Sequence, residues 1–476
     1  MEQQDPIDKP VSIASSADVF TWLSRFINME TGQFSTSLRL DRMEVLVHLA
    51  GHPERCAPVI HIAGSKGKGS VTGMITAMLE AEGFRPARYT SPHVTEYRER
   101  ITQGAAFFDE SIYIQAGREL VSIEAMLRNT IHSSIPYFDP PGADDTQASF
   151  FELLTLYFFL CARLARCDVM VIETGLGGRL DATNVVDPLV SVITLIELEH
   201  TEFLGDHIGA IAGEKAGIIK PGKPLILARQ VNEALEVFKK TAASCKAPLY
   251  YLPDIVDLYH IQINPAGTTF SLDSKIPALF PSPIELTIPI PGEIQAQNAA
   301  LGIAAAKIAF PLLKEASLHR GLQHFTLPAR FERIMDAPVF IVDGAHTPQS
   351  IEACVKTFST LYGKGGILIF GCAAGKDAAS MAKILIPHFR QIIITTPGTF
   401  KISFPQLVYD TFSKEASALE EGSTVFYIPE TVRAIEKALE QGRDKGIPLL
   451  GTGSFYLAAE IRNRVQQVQE VPVGQA

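Results

Sequence analysis

Lys68, Ser91, Glu152, His200, Lys215 and Asp343 are the residues whose type and setting suggest chemistry. The densest group is His61-Ile-Ala-Gly-Ser-Lys-Gly-Lys-Gly-Ser70. Its closely spaced glycines, Gly64, Gly67 and Gly69, let backbone N–H groups converge on an anion, and Lys68 adds a full positive charge. The spacing is shorter than the common phosphate-loop form with four residues between Gly and Gly-Lys. A glycine-rich turn before an ordinary helix is the other reading. Ser91, in Thr90-Ser-Pro-His93, has a hydroxyl suited to Mg²⁺, although Ser-Pro also favours a simple turn. Glu152 stands in an almost wholly apolar stretch, where a carboxylate must be paired, bound to metal or compensating a helix dipole. His200 lies among acids and reads as a metal ligand or as a solvent-facing residue. Lys215, among Ala and Gly in Gly213-Glu-Lys-Ala-Gly217, would be partly desolvated and nucleophilic toward CO₂; a surface lysine ending a helix is the commoner case.

These residues need a scaffold that gathers them. Ala57–Ala63 reads as a buried strand, and Val71–Ala81 as a helix with apolar residues at Val71, Met74, Ile75, Met78 and Leu79. Lys68 therefore sits where a strand turns into a helix N-terminus. Arg85–Tyr89, Asp168–Glu173, Val190–Ile196 and Pro224–Ala228 are further strands. The loop Thr174-Gly-Leu-Gly-Gly-Arg-Leu-Asp-Ala-Thr-Asn184 reads as a binding loop at the sheet edge. Helices are expected over Ala17–Asn28, Arg42–Ala50, Glu110–Asn129, the apolar stretch Phe150–Leu164, Ile208–Ile219, Val231–Cys245 and Gln295–Phe310. Residues 1–15 read as a loose leader, 133–146 as a loop, and 248–290 as short strands closing the first domain. After the linker-like Leu327–Glu332 the strand–helix alternation restarts, and its first strand ends in Asp343-Gly-Ala-His346, where an Asp can hold a ribose hydroxyl.

The fold class expected is α/β. A P-loop-type ATPase domain with a mainly parallel sheet would span residues 1–326, and a smaller Rossmann-like α/β domain 327–476. The 476 residues are too many for one core, at roughly 150 per domain. A net charge of -10 argues against a general nucleic-acid binder, so an anionic nucleotide must be met by local cations. Six scattered cysteines with no Cys-x-x-Cys pair suggest a reducing compartment. No signal peptide is visible, and Phe150–Leu164 falls short of the roughly 20 residues a membrane span needs, so a soluble cytoplasmic protein is expected.

Gly64-Ser-Lys-Gly-Lys-Gly-Ser70, Tyr89-Thr-Ser-Pro-His93, Ser149-Phe-Phe-Glu152, Glu173–Asn184, His200-Thr-Glu-Phe-Leu-Gly205, Gly213–Lys220 and Asp343-Gly-Ala-His346 follow one another in a specific order. In this the chain resembles the folylpolyglutamate synthase/dihydrofolate synthase family, within the Mur ligase superfamily, over about residues 40–460. The resemblance implies an ATP-dependent ligase adding L-glutamate to dihydropteroate, to a reduced folate or to both, acting as a monomer. It implies that Gly64, Gly67, Lys68, Gly69 and Ser70 hold the ATP phosphates, and that Ser91, Glu152 and His200 hold Mg²⁺. Lys215 would be carbamylated; Asn298 and Arg330 would approach the nucleotide; Asp343 and His346 would serve its ribose and phosphate. Asp181 would contact the pterin, and Arg100 and Ser454 the incoming glutamate. Lys68, Lys215, His200 and Arg330 would carry catalysis. The chain departs from the family pattern at Lys66 and Thr347, each where Asn is usual, at Glu199 where Asp is usual, at Leu327-Pro-Ala329 for Trp-Pro-Gly, and at Gly375-Lys-Asp377 for Asp-Lys-Asp. A Mur-type ligase for another carboxylate acceptor and a non-catalytic nucleotide-binding relative are the alternatives.

Overall fold

Eight strands organise the first half of the chain: β1 (Val59–Ala63), β2 (Pro86–Tyr89), β3 (Ile101–Gln103), β4 (Ala106–Phe107), β5 (Val169–Glu173), β6 (Val190–Ile193), β7 (Leu225–Leu227) and β8 (Leu249–Tyr251). They form one sheet in the order β4-β3-β2-β5-β1-β6-β7-β8. The six strands from β2 to β8 in that order are parallel, and β3 and β4 form an antiparallel edge. β1 is buried at every position, as a central parallel strand covered on both faces requires. The computed structural model describes residues 11–28, 39–130, 147–276, 279–398, 401–418 and 423–470. Most of the expected leader and the whole expected loop 133–146 lie outside these residues.

Because β5, β1 and β6 are adjacent and parallel, the loops that follow them emerge side by side at the sheet's C-terminal edge. These are the glycine-lysine loop, the loop from Thr174, and the segment from Thr194 to His200. The helix Lys68–Glu82 packs back on β1, β2 and β5. The Phe150–Leu164 helix is buried from Glu152 to Ala162. Around it the helices Ser16–Leu23, Asp41–Leu49 and Glu110–Thr130 complete one apolar cluster. Phe20 stacks on Tyr97 at 5.3 Å, and the Ser16 backbone N–H and hydroxyl donate to Glu110. The first helix stops at Leu23, short of the expected Asn28.

Three further strands, β9 (Val256–Asn264), β10 (Gly267–Ser274) and β11 (Ile284–Ile288), form a small sheet in the order β11-β10-β9. The last six are β12 (Glu332–Asp336), β13 (Val339–Val342), β14 (Gly366–Phe370), β15 (Phe389–Ile394), β16 (Thr424–Tyr427) and β17 (Leu449–Thr452), in the order β12-β13-β17-β14-β15-β16. This sheet is parallel except for β12, which pairs antiparallel with β13 where a linker end was expected.

The chain divides into two compact units, one of Met1–Tyr259, Ser271–Leu286 and Gln297–Phe325, the other of His260–Phe270, Thr287–Ala296 and Thr326–Ala476. The stretch expected to close the first domain therefore gives two of its segments to the second unit. Inside that unit, side-chain bonds join the segments to each other and to the helix Pro348–Tyr362. The Thr268 hydroxyl donates to Ile290 O and accepts from Gly292 N, each at 2.9 Å, and Lys356 pairs with Glu293 at 3.2 Å.

Candidate active site

The loop after β1 is shaped to receive an anion. Gly64 has φ 149°, and a Cβ there would lie 1.8 Å from Thr194 Oγ1. Gly67, at φ 89°, caps the Lys68–Glu82 helix with no side-chain bond to its first turn, which also carries no acidic residue. The first-turn N–H groups of such a helix have no intrahelical partner, and with Lys68 they favour negative charge. The loop is fastened to the segment after β6: Ser65 N and Lys66 N donate to Leu195 O at 2.9 and 3.1 Å, and Ser65 Oγ donates to Glu197 O at 3.0 Å. Asn298 sits against the loop, its Oδ1 2.5 Å from where a Gly67 Cβ would be. Ser70 is buried in the helix's first turn.

A charge cluster lies beneath this loop. Lys68 Nζ and Lys215 Nζ both donate to Gly64 O at 2.9 Å. Lys215 is 1% exposed and also donates to Glu199 Oε1 at 3.1 Å. Burial, aided by the charge on Lys68, lowers its pKa to about 8 despite the pull of Glu199. For Glu199, burial works toward a higher pKa, but Lys215, Lys68, Lys66 and His200 override it and hold the carboxyl at about 2. Lys215 is thus the desolvated amine expected from its small neighbours.

The three expected metal ligands sit in different settings. Ser91 follows β2, and His200 is exposed, at φ 48°, capping the short helix Thr201–Leu204. Glu152 is spent on structure. Its Oε1 accepts from Arg42 Nε at 3.0 Å, its Oε2 accepts from Ser149 N at 2.7 Å, and it closes a capping box at the start of its helix. Pairing with Arg42 and capping answer the burial of this carboxylate, and its expected metal role is withdrawn. Glu173, which sequence reasoning passed over, is better situated. It ends β5, is 3% exposed, accepts from Ser91 N at 3.4 Å, and brings Oε2 within 3.4 Å of a Cβ position at Gly69. An acid closing an otherwise apolar five-residue strand was the available signal. Among the described residues no three His, Cys, Asp or Glu side chains converge as a ready metal cage. Mg²⁺ does not require one, since it keeps waters and takes one or two carboxylates plus phosphate oxygens. The Glu173 carboxylate, beside Ser91 and Gly69, fits that donor preference.

The loop after β5 is held by Asp181. Its Oδ2 accepts from Leu176 N at 2.7 Å, and its Oδ1 accepts from Thr183 N at 3.1 Å and Thr183 Oγ1 at 2.5 Å. At 3% exposure the carboxylate is braced within its own loop. Burial raises its pKa, against the opposing hydrogen bonds from Thr183 and Leu176. The Thr183 hydroxyl, donating to Asp181, is left to accept from His61 Nε2 at 2.8 Å. Arg100 is likewise internal: it is 0% exposed, donates to His93 Nδ1 at 2.9 Å, and lies about 6 Å from the ring centres of Tyr97 and Phe150. Buried against His93, Tyr97 and Phe150, it has no exposed surface to offer the incoming glutamate expected of it. His93 in turn lies 4.3 Å from the Tyr97 ring.

His61 carries a pH dependence. Burial, then Lys220, push its pKa from 6.5 to about 3. In that window the unfolded chain binds a proton that the folded chain refuses, so stability falls as pH falls from 6.5 toward 3. By pH 5 this amounts to about 2 kcal/mol. Urea unfolding of the wild type will show a larger loss between pH 7 and pH 5 than His61→Asn, which has no proton to gain.

In the second unit, the loops after β13 and β17 are neighbours. Asp343 Oδ2 accepts from Phe331 N and its Oδ1 from Ala345 N, both at 2.8 Å, while Gly453 N donates to Ala345 O at 2.9 Å. Burial raises the pKa of Asp343, and Arg330 opposes this. The Arg330 guanidinium lies 3.9 Å from the centre of the Phe455 ring. His346 Nδ1 bonds Gly344 O at 2.8 Å, with its ring edge-on to Phe455 at 5.7 Å. Ser454 accepts from Tyr456 N at 3.1 Å at the start of the last helix. The structure thus brings Arg330, Asp343, His346 and Ser454 into one loop cluster.

Residues 329–455 match the Mur ligase, glutamate ligase domain family. The chain is 31% identical over 441 residues to the dihydrofolate synthase/folylpolyglutamate synthase of Bacillus subtilis, covering 91% of this chain and 96% of that protein. It is 31% identical over 412 residues to the enzyme of the same description from Mycobacterium tuberculosis, covering 83% and 80%. The Mycobacterium tuberculosis folylpolyglutamate synthase solved with ADP and AMPPCP superposes with a TM-score of 0.82 at 27% identity, over 94% of this chain and 98% of that one. An FPGS–AMPPCP–folate complex superposes with a TM-score of 0.75 at 25% identity, over 94% and 98%.

Proposed function

Since the chain belongs to the dihydrofolate synthase/folylpolyglutamate synthase family of Mur ligases, we propose that it is an ATP-dependent ligase joining L-glutamate to a pterin- or folate-derived carboxylate. The observation that carries the reading is the glycine-lysine loop with Lys68, Lys215 and Glu173 gathered around it. A carboxylate is a poor acyl donor because oxide leaves badly. Transfer of the γ-phosphoryl group makes an acyl phosphate, which the glutamate amine attacks, with phosphate leaving. Bringing anions together needs fixed cations and N–H donors.

In this reading the backbone of Gly64, Gly67 and Gly69, with Ser70 and Lys68, cradles the phosphates, and Asn298 borders the nucleotide. Glu173, Ser91 and His200 would hold Mg²⁺, which when bound supplies positive charge beside the reacting phosphates. Lys215 takes up CO₂ as a carbamate. Arg330, Asp343 and His346 serve the nucleotide, and Ser454 the glutamate. Asp181, held by its loop, contacts the pterin. The protein acts as a monomer in the cytoplasm. No helix among the described residues is long and apolar enough to cross a membrane.

The test is ATP-dependent incorporation of labelled glutamate, with 7,8-dihydropteroate and with tetrahydrofolate in parallel. Product from both makes the enzyme bifunctional; product from one alone names the activity. Protein that binds ATP yet uses neither would overturn the reading.

A further inference from the structure

Glu199 divides its carboxylate between two cations. Oε1 is 3.1 Å from Lys215 Nζ and Oε2 is 3.8 Å from Lys66 Nζ, with the Glu199 side chain only 11% exposed. Lys66 does not reach in from a loose loop. Its backbone N–H donates to Leu195 O, and it forms a β-bridge with Leu195, so the side chain starts from a fixed point. Burial raises the pKa of Glu197, with Lys66 opposing the rise and Glu199 adding to it. Lys66, Lys68 and Lys215 thus stand against Glu197 and Glu199.

Carbamylation would upset this balance. The Lys215 ammonium first releases a proton to solvent. The nitrogen lone pair then forms an N–C bond to dissolved CO₂, one C–O π pair moves onto oxygen, and a second N–H proton leaves to solvent. The group passes from one positive charge to one negative charge. The contact with Glu199 then joins two anions in a mostly buried place, where like charges oppose each other most strongly. Lys68 also acts on Glu199, but its amine is bonded to Gly64 O beside the phosphate loop. Lys66 already sits on the far oxygen of Glu199.

Building on the carbamate reading above, we propose that Lys66 is a positioning residue for Lys215: it holds and neutralises Glu199, so that Lys215 can exchange an ammonium for a carbamate. Lys66 then governs how much CO₂ the enzyme needs, before any nucleotide arrives.

The experiment is a titration of nucleotide-free enzyme with ¹³C-labelled bicarbonate, read by the carbamate carbon signal in NMR, with Lys215→Ala as the blank. The wild type should show a signal that the blank lacks. Lys66→Gln should need roughly tenfold more bicarbonate for half occupancy, the effect of removing one nearby charge from a partly buried site. Lys66→Arg should stay near the wild type, and Lys66→Gln combined with Glu199→Gln should recover most of the signal. Equal titrations for wild type and Lys66→Gln, with both folded by circular dichroism, would overturn the role of Lys66 alone. A wild type without the signal would overturn the carbamate reading and this proposal with it. Failure of the double variant to recover would overturn the route through Glu199.

Discussion

Glu173→Gln will lower ATP-dependent glutamate ligation by on the order of a hundredfold or more, while Glu152→Ala will keep its activity per folded molecule and lose stability instead. The first expectation follows from the place of Glu173 at the end of β5, accepting from Ser91 N and facing Gly69. A glutamine there keeps the shape and an oxygen but loses the charge that would hold Mg²⁺, and defects in electrostatic stabilisation of this kind cost about a hundred- to a thousandfold. The Mg²⁺ concentration for half-maximal rate should rise as well. The second expectation follows from Arg42, whose guanidinium is buried against Glu152. Removing the acid takes a paired carboxylate away from a buried guanidinium, at a cost of about 3 kcal/mol. Steady-state kinetics over a Mg²⁺ series, with urea unfolding of both variants, separate the two. Near-normal rates in Glu173→Gln alongside an inactive but stable Glu152→Ala would reverse the assignments.

Lys215→Ala will abolish turnover, with partial recovery when a short-chain carboxylate such as acetate is supplied. Lys215 is 1% exposed in a cluster beside the phosphate loop, and its pKa of about 8 leaves a substantial share of neutral amine near neutral pH. An alanine leaves a space where a carboxylate can stand in for the carbamate. Lys215→Arg should not respond to acetate, since arginine fills the space and stays charged. Initial rates across an acetate series make the measurement. A Lys215→Ala enzyme running near the wild-type rate would remove the carbamate from the mechanism.

What was legible in the sequence was local. The glycines, Lys68 and the apolar repeat of the following helix fall within about twenty residues, and each has a conformational reason to be there. The small neighbours of Lys215 likewise announced a desolvated amine. Glu152 was misplaced because its partner, Arg42, lies 110 residues away in sequence. The bonds by which Asp181 braces its loop were not legible, because backbone N–H groups carry no trace in residue types. Strands β3 and β4 were missed because two or three residues hold no period to detect. Segments 260–270 and 287–296 belong to the second unit, where the Thr268 bonds join them to each other and Glu293 pairs with Lys356, contacts that only the folded chain brings together.

The stack of Phe20 on Tyr97 bears on how far the protein could be shortened. A chain trimmed to start at β1 would look economical, since the sheet, the glycine loop and the charge cluster all lie beyond it. Yet the trimming would take away Arg42 and leave Glu152 buried with its main counter-ion gone, strip the Ser16 bonds from Glu110, and uncover Tyr97 on the side that Phe20 shields. Tyr97 backs His93, which follows Ser91 by two residues. The minimal catalytic fragment therefore has to include the Ser16–Leu23 helix, and insertions or fusions aimed at this enzyme belong on faces other than that one.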